Sequence, residues 1–158
     1  MTVRIQQEDF DIGTEVARLT ADRSDIGAVV TFTGMVRAEN EGASLTSMNL
    51  EHYPGMTEQE LTRVEGEATA RWPLQACFVV HRVGILKPGD NIVLVVTASA
   101  HRGDAFAAAE FLMDYLKTRA PFWKSETGPD GAKSWVEAKE RDDEAAQRWS
   151  AGDRSKPA

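Results

Sequence analysis

The sequence predicts an α+β fold: a largely antiparallel sheet with helices packed on it. Three observations carry that prediction. Short runs rich in β-branched residues recur along the chain, as in Ile26 to Val36 and Ile92 to Ala100. Two longer stretches place apolar residues three and four apart, the spacing of a helix face. Hairpin-length turns separate several strands, which favours antiparallel neighbours over crossovers. The chain has 158 residues, enough for one domain with a real core, and its 42% hydrophobic content is ordinary for a globular protein.

Val3 and Ile5 alternate with polar residues and predict an edge strand. Ile12, Val16 and Leu19 follow at helical spacing. Ile26 to Val36 predicts a strand, and Gly27 and Gly34 near its ends predict a bulge or a close backbone approach. Arg37 to Ala43 is polar and reads as a mobile loop. Leu45, Met48 and Leu50 belong to a second strand ending at His52 and Tyr53. After Pro54 and Gly55, Thr57 followed by Glu60 predicts a capping box at a helix start. Leu61, Val64, Ala68 and Trp72 form the buried stripe of that helix, which Pro73 ends. Ala76 to Val83 is the third strand. A Lys87-Pro88-Gly89-Asp90 turn leads to Ile92 to Ala100, the most apolar strand, expected to be central and covered on both faces.

The next helix buries Ala105, Phe106, Ala109, Leu112, Met113 and Leu116. Pro121 cannot continue it and disfavours helical geometry at Ala120, so it ends near Arg119. Ser134 to Ala138 predicts a last strand. Residues 1–142 read as one domain without repeats or linkers. Residues 143–158 read as a polar C-terminal extension, helical at first and then frayed.

The net charge of −7 argues against nonspecific binding to nucleic acid or to a membrane surface. An anionic ligand would need a local basic site. No run is long enough to span a bilayer, and the N-terminus lacks a secretory pattern, so a cytoplasmic protein is expected. The lone Cys77 sits in an apolar strand pattern and reads as a small buried hydrophobe. His52, His81 and His101 show no ligand spacing. No metal site and no cofactor are expected. His81 reads as structural, flanking a strand end.

Three stretches concentrate candidate chemistry. In Lys117 to Glu126, Lys117 and Lys124 flank a Pro-Phe-Trp turn, with Lys117 in the last turn of a helix. Dipole complementation and solvation account for many such lysines. A lysine desolvated by aromatic neighbours can instead act as a base or nucleophile, and a charged one can stabilise an oxyanion. In Thr97 to Phe106, His101 and Arg102 open a helix, whose free N–H groups and cationic side chains suit a phosphate; a plain surface loop is the other reading. In Val29 to Asn40, Arg37 ends a strand, a common place for a ligand contact. Arg102 and Lys117 lie fifteen residues apart on one helix, roughly 22 Å. If both clusters serve one site, two subunits must share it.

The motifs VVTFTGMVRAEN, LEHYPGM, HRVGILKPGD, TASAHRGDAF and KTRAPFWKSE, followed by Trp135-Val136-Glu137, occur in an order that resembles the large, catalytic subunit of molybdopterin synthase. The resemblance runs from about Ile5 to Asp142. It implies an α/β hammerhead type of fold and an enzyme of molybdenum cofactor biosynthesis. That enzyme is a sulfurtransferase converting cyclic pyranopterin monophosphate to molybdopterin by building its dithiolene. Sulfur would arrive as the C-terminal thiocarboxylate of a ubiquitin-like small subunit, with a homodimer of the large subunit at the core of a heterotetramer.

By resemblance Lys117 and Lys124 are the catalytic lysines. Arg37, His101 and Arg102 match substrate contacts, and Met35, Val36, Ser125 and Glu126 match segments lining the same pocket. One departure is visible: Ser125 stands where a second lysine is expected, so its contribution there rests on backbone. The alternative is a noncatalytic module that binds the tail of a ubiquitin-like protein at the same turn.

Overall fold

The computed structural model describes residues 3–136 and 140–150. The first sheet has the order β1-β6-β8-β2, formed by Val3–Gln6 (β1), Ala28–Met35 (β2), Leu74–Arg82 (β6) and Asn91–Ser99 (β8). Only β1 and β6 run parallel; the other pairings are antiparallel. The expected central strand is here, since every residue from Val93 to Ser99 is buried between β6 and β2.

Helices cover both faces of this sheet. Ile12–Thr20 (α1) lays Ile12, Val16 and Leu19 on Phe78, Val80, Leu94 and Val96. The opposite face, with Cys77, Val79, Val93 and Val95, takes Met56–Arg71 (α2) and Arg102–Thr118 (α3) through Leu61, Val64, Phe111 and Leu112. The alternation of a strand sends successive side chains to opposite faces, so one strand feeds two cores.

The second sheet has the order β10-β9-β5-β7: Ser47–His52 (β5), Gly84–Leu86 (β7), Phe122–Thr127 (β9) and Lys133–Val136 (β10). All its pairs are antiparallel. Its inner face closes a small core of Val36, Leu45, Met48, Leu50 and Leu86. Strand β9 was not expected from the sequence, which read the Pro-Phe-Trp segment as a turn. Residues 37–43, expected to be a mobile loop, instead contain a hairpin of Glu39–Asn40 (β3) and Ala43–Ser44 (β4).

Two expectations of local chemistry shift. Helix α2 is opened by Gly55 and Glu58, whose carboxylate accepts from the Gly55 N–H at 2.6 Å, not by Thr57 and Glu60. Phe106 is 61% exposed and lies off the buried stripe of α3. The glycine reading holds: a Cβ on Gly27 would lie 2.2 Å from the Ala100 carbonyl oxygen, and the β2–β8 register shifts between Gly34 and Met35.

A helix, Glu140–Gln147 (α4), starts ahead of the expected extension at 143 and is seated against α3. Trp149 stacks edgewise on Trp72 and Phe111, and its indole N–H donates to Asp114 at 2.6 Å. Residues 151–158 of the expected extension, and residues 137 and 138 of the expected last strand, lie outside the described residues.

Candidate active site

Helix α3 stops where its sequence says it must. Arg119 caps it, its N–H still donating to Tyr115, and Pro121 turns the chain into β9. The turn is clamped from two sides. The Thr57 hydroxyl, at the start of α2, donates to the Pro121 carbonyl at 3.1 Å and accepts from the Tyr53 N–H. Tyr53 meets Trp123 edge to face, with centroids 4.3 Å apart. Thr57 is fully buried in this role.

Beneath the turn lies His81, the last residue but one of β6. Its ring stacks on Phe122 at 3.8 Å and 16°. Its Nδ1 lies 2.8 Å from the Arg82 carbonyl. A carbonyl only accepts, so Nδ1 carries the proton and Nε2 the lone pair. Burial drives the His81 pKa down to about 4, and the positive charges of Lys124, Lys117 and His52 push it the same way. The imidazole is therefore neutral near pH 7. Both candidate lysines are thus within electrostatic reach of this buried ring. Sequence reasoning assigned His81 a structural role. The available signal was the sequence HR at a strand end, which cannot reveal a stacking partner forty-one residues later.

Strand pairing decides which side chains share the site. Opposed residues of an antiparallel pair lie on one face. Lys124 stands opposite Leu50, Glu126 opposite Met48 and Phe122 opposite His52, so these three face inward with the small core. Ser125 stands opposite Asn49 and Trp135, and Trp135 is 65% exposed. The Ser125 side chain is thus on the outer face, away from Lys124 and Glu126. Lys124 is half-buried, and Lys117 is exposed at the helix end.

Arg37 follows the buried Val36, whose N–H and carbonyl are bound by Asp90 and Gly89. Met35 is exposed on β2. Arg37 reaches Asn40, and Asn40 reaches Glu126. The structure therefore brings Lys117, Lys124, Glu126, Arg37 and His81 to one end of the first sheet, where Met35 pairs with Asn91 and His81 with Val93. His101 and Arg102, both exposed, stand at the opposite end, just beyond Ser99. Strand β8 and helix α3 each separate the two groups by more than 20 Å, roughly. Among the described residues, no group of three or more His, Cys, Asp or Glu is placed to hold a metal ion. Cys77 is buried, with its thiol pKa pushed far up by burial and by the neighbouring Glu65.

The fold and this grouping define a two-sheet α+β domain, acidic overall, with lysine and arginine gathered at one end of its first sheet. Residues 5–119 match the family described as MoaE protein, and the chain belongs to that family. A molybdopterin synthase catalytic subunit of Mesorhizobium japonicum is 59% identical over 149 residues, 94% of this chain and 92% of that protein. The solved molybdopterin biosynthesis MoaE protein of Burkholderia ambifaria superposes with a TM-score of 0.80 at 54% identity, over 94% of this chain and 97% of that one. A Helicobacter pylori complex of subunits 1 and 2 of molybdopterin-converting factor contains a chain of the same fold. Its TM-score is 0.70 at 21% identity, over 89% of this chain and 92% of that one.

Proposed function

We propose that the chain is the catalytic subunit of a molybdopterin synthase. It is a sulfurtransferase that converts cyclic pyranopterin monophosphate to molybdopterin, using the C-terminal thiocarboxylate of a ubiquitin-like small subunit. The observation that supports the proposal is the chain path: Lys117 ends α3, the clamped Pro121 turn follows, and Lys124 faces inward on β9 with Glu126, which Asn40 links to Arg37. A thiocarboxylate and a cyclic phosphate are both anions, and the cations at this sheet end, with His101 and Arg102, suit them. Each transfer leaves the donor tail as an ordinary carboxylate, so two donors serve one dithiolene. Cys77 is too buried to store sulfur, which fits an external donor.

Lys117 and Lys124 are the catalytic residues of this reading. Arg37, His101, Arg102 and Glu126 contact substrate, with Met35, Val36 and the Ser125 backbone lining the pocket. The distance between the two cationic groups supports sharing across a homodimer, one chain giving the lysines and its partner His101 and Arg102. The open edge of β2 carries exposed Val29, Phe32 and Met35, a surface suited to that contact. A small-subunit partner is in keeping with the names of the relatives. The acidic surface and lone reduced cysteine suit a cytoplasmic enzyme.

The test is reconstitution. Purified protein, thiocarboxylated small subunit and cyclic pterin should yield the dithiolene product; tail binding without product would leave only a docking module. Hybrid dimers of Lys117→Ala and His101→Ala chains should recover part of the activity, and no recovery despite proven mixing would count against a shared site. Lys117→Arg separates roles. Substantial retained activity marks a cation, and near-complete loss marks amine chemistry.

A further inference from the structure

The sequence left Arg37 to Ala43 as a mobile loop, yet the structure builds it as a braced arm. Glu41 and Gly42, with φ of 52° and 80°, occupy the two left-handed positions of a tight turn between β3 and β4. That turn type matches the twist of the strands it joins. One base of the arm is the buried Val36. The other is the buried Leu45, whose N–H donates to Ala38 at 2.8 Å. Thr46 then ties the arm to the end of β9, its N–H and hydroxyl both donating to the Thr127 carbonyl.

Asn40 sits in the middle of this arm, between two charged side chains of opposite sign. Its amide Nδ2 donates to Glu126 Oε1 at 2.9 Å, and its Oδ1 accepts from Arg37 Nη2 at 3.5 Å. The orientation of the amide follows from chemistry, because a carboxylate only accepts and a guanidinium only donates. A neutral amide is suited to this place. It offers one donor and one acceptor, so it holds both charges without competing for either. Absent Asn40, an exposed arginine and a half-buried carboxylate would pair directly, and each would be lost to the ligand.

We infer that Asn40 is a positioning residue: a neutral spacer that holds Arg37 and Glu126 apart and aims both into the site. The inference rests on the reading of Arg37 and Glu126 as substrate contacts. It is distinct from a general role in folding, because it makes the effect of Asn40 depend on the charge of Glu126.

The test is a double-mutant cycle on initial rates in the reconstituted reaction, with thiocarboxylated small subunit in excess and cyclic pterin varied. Asn40→Ala should raise the half-saturating pterin concentration by about tenfold with little change in maximal rate, as expected for a lost interaction with charged groups. In a Glu126→Gln background, where no carboxylate can capture Arg37, the same change should cost about twofold or less. Asn40→Asp provides the second variant. It sets a carboxylate against Glu126, so it should raise the half-saturating concentration at least as far as Asn40→Ala, and Glu126→Gln should relieve that defect; a defect undiminished in the Glu126→Gln background would overturn the spacer role. An equal penalty for Asn40→Ala in both backgrounds would overturn the spacer role, as would an unchanged half-saturating concentration. A wild-type protein that makes no dithiolene would instead overturn the functional reading, and the inference with it.

Discussion

The buried His81 makes the protein sensitive to acid in a way that can be calculated. In the unfolded chain its pKa is 6.5; in the folded protein it is about 4. On acidification the unfolded chain therefore takes up the proton first. Stability must rise with pH through this window: the contribution is complete above about pH 6.5 and is lost as the pH falls toward about 4. Each pH unit of separation is worth about 1.4 kcal/mol, so the full effect is about 3 kcal/mol, and about 2 kcal/mol is lost between about pH 7.5 and about pH 5.

Other groups titrate in that range, so the measurement needs a reference. His81→Phe keeps an aromatic ring against Phe122 and removes the titration. It also forfeits the bond to the Arg82 carbonyl, at a cost of about 1 kcal/mol. Urea unfolding, followed by tryptophan fluorescence at one protein concentration, should show wild type losing about 2 kcal/mol more than His81→Phe between the two pH values. At ordinary slopes that is a relative midpoint shift of about 1 M urea. Lys117 from α3, Lys124 from β9 and His52 from β5 lie within electrostatic reach of His81, and a positive charge on any of them opposes its protonation. Parallel pH profiles for the two proteins would refute a buried neutral imidazole at this position.

Three further outcomes follow from the packing. Gly27→Ala should cost several kcal/mol, on the order of 3, because the new methyl meets backbone at Ala100, which has no rotamer to give; a thermal midpoint within error of wild type would contradict the close approach. Trp149→Ala should cost about 2 to 3 kcal/mol by emptying the space between Trp72 and Phe111, whereas Trp149→Phe should lose about 1 kcal/mol with the bond to Asp114; chemical denaturation of both variants distinguishes a seated C-terminal segment from a loose one. Thr57→Val keeps the shape but leaves the Pro121 carbonyl and Tyr53 N–H without their partner. It should lower stability by about 1 to 2 kcal/mol and reduce turnover more than it weakens pterin binding, and an active, fully stable variant would remove the clamp from the argument.

Much of the chain was readable because its signals are local. Pro121 ends α3 by sterics that involve its own immediate neighbours. The position of Lys117 in the last helical turn, and of His101 and Arg102 at the first, followed from that and from the spacing of Leu112 and Leu116. Gly27 announced its close approach because nothing larger fits there. The apolar run of β8 pointed to a covered central strand, and it is one. Even the separation of the two cationic groups was available from residue count, since a helix has a fixed rise.

What escaped the sequence depends on partners far along the chain. FWKSET does not look like a buried strand, because its inward residues include Lys124 and Glu126 and their apolar opposites, Leu50 and Met48, are supplied by β5. The same pairing, not the residue type, puts Ser125 on the outer face. The hairpin at 39–44 is held by Leu45, Thr46 and the end of β9, so its polar composition alone suggested a loop. His81 became central only when the second sheet brought Phe122 onto its ring, within electrostatic reach of two lysines. Residue order therefore determined where helices stop and which cations exist. Tertiary pairing decided which of those cations share a floor, because a β-sheet assigns each side chain to a face by its register with a distant strand.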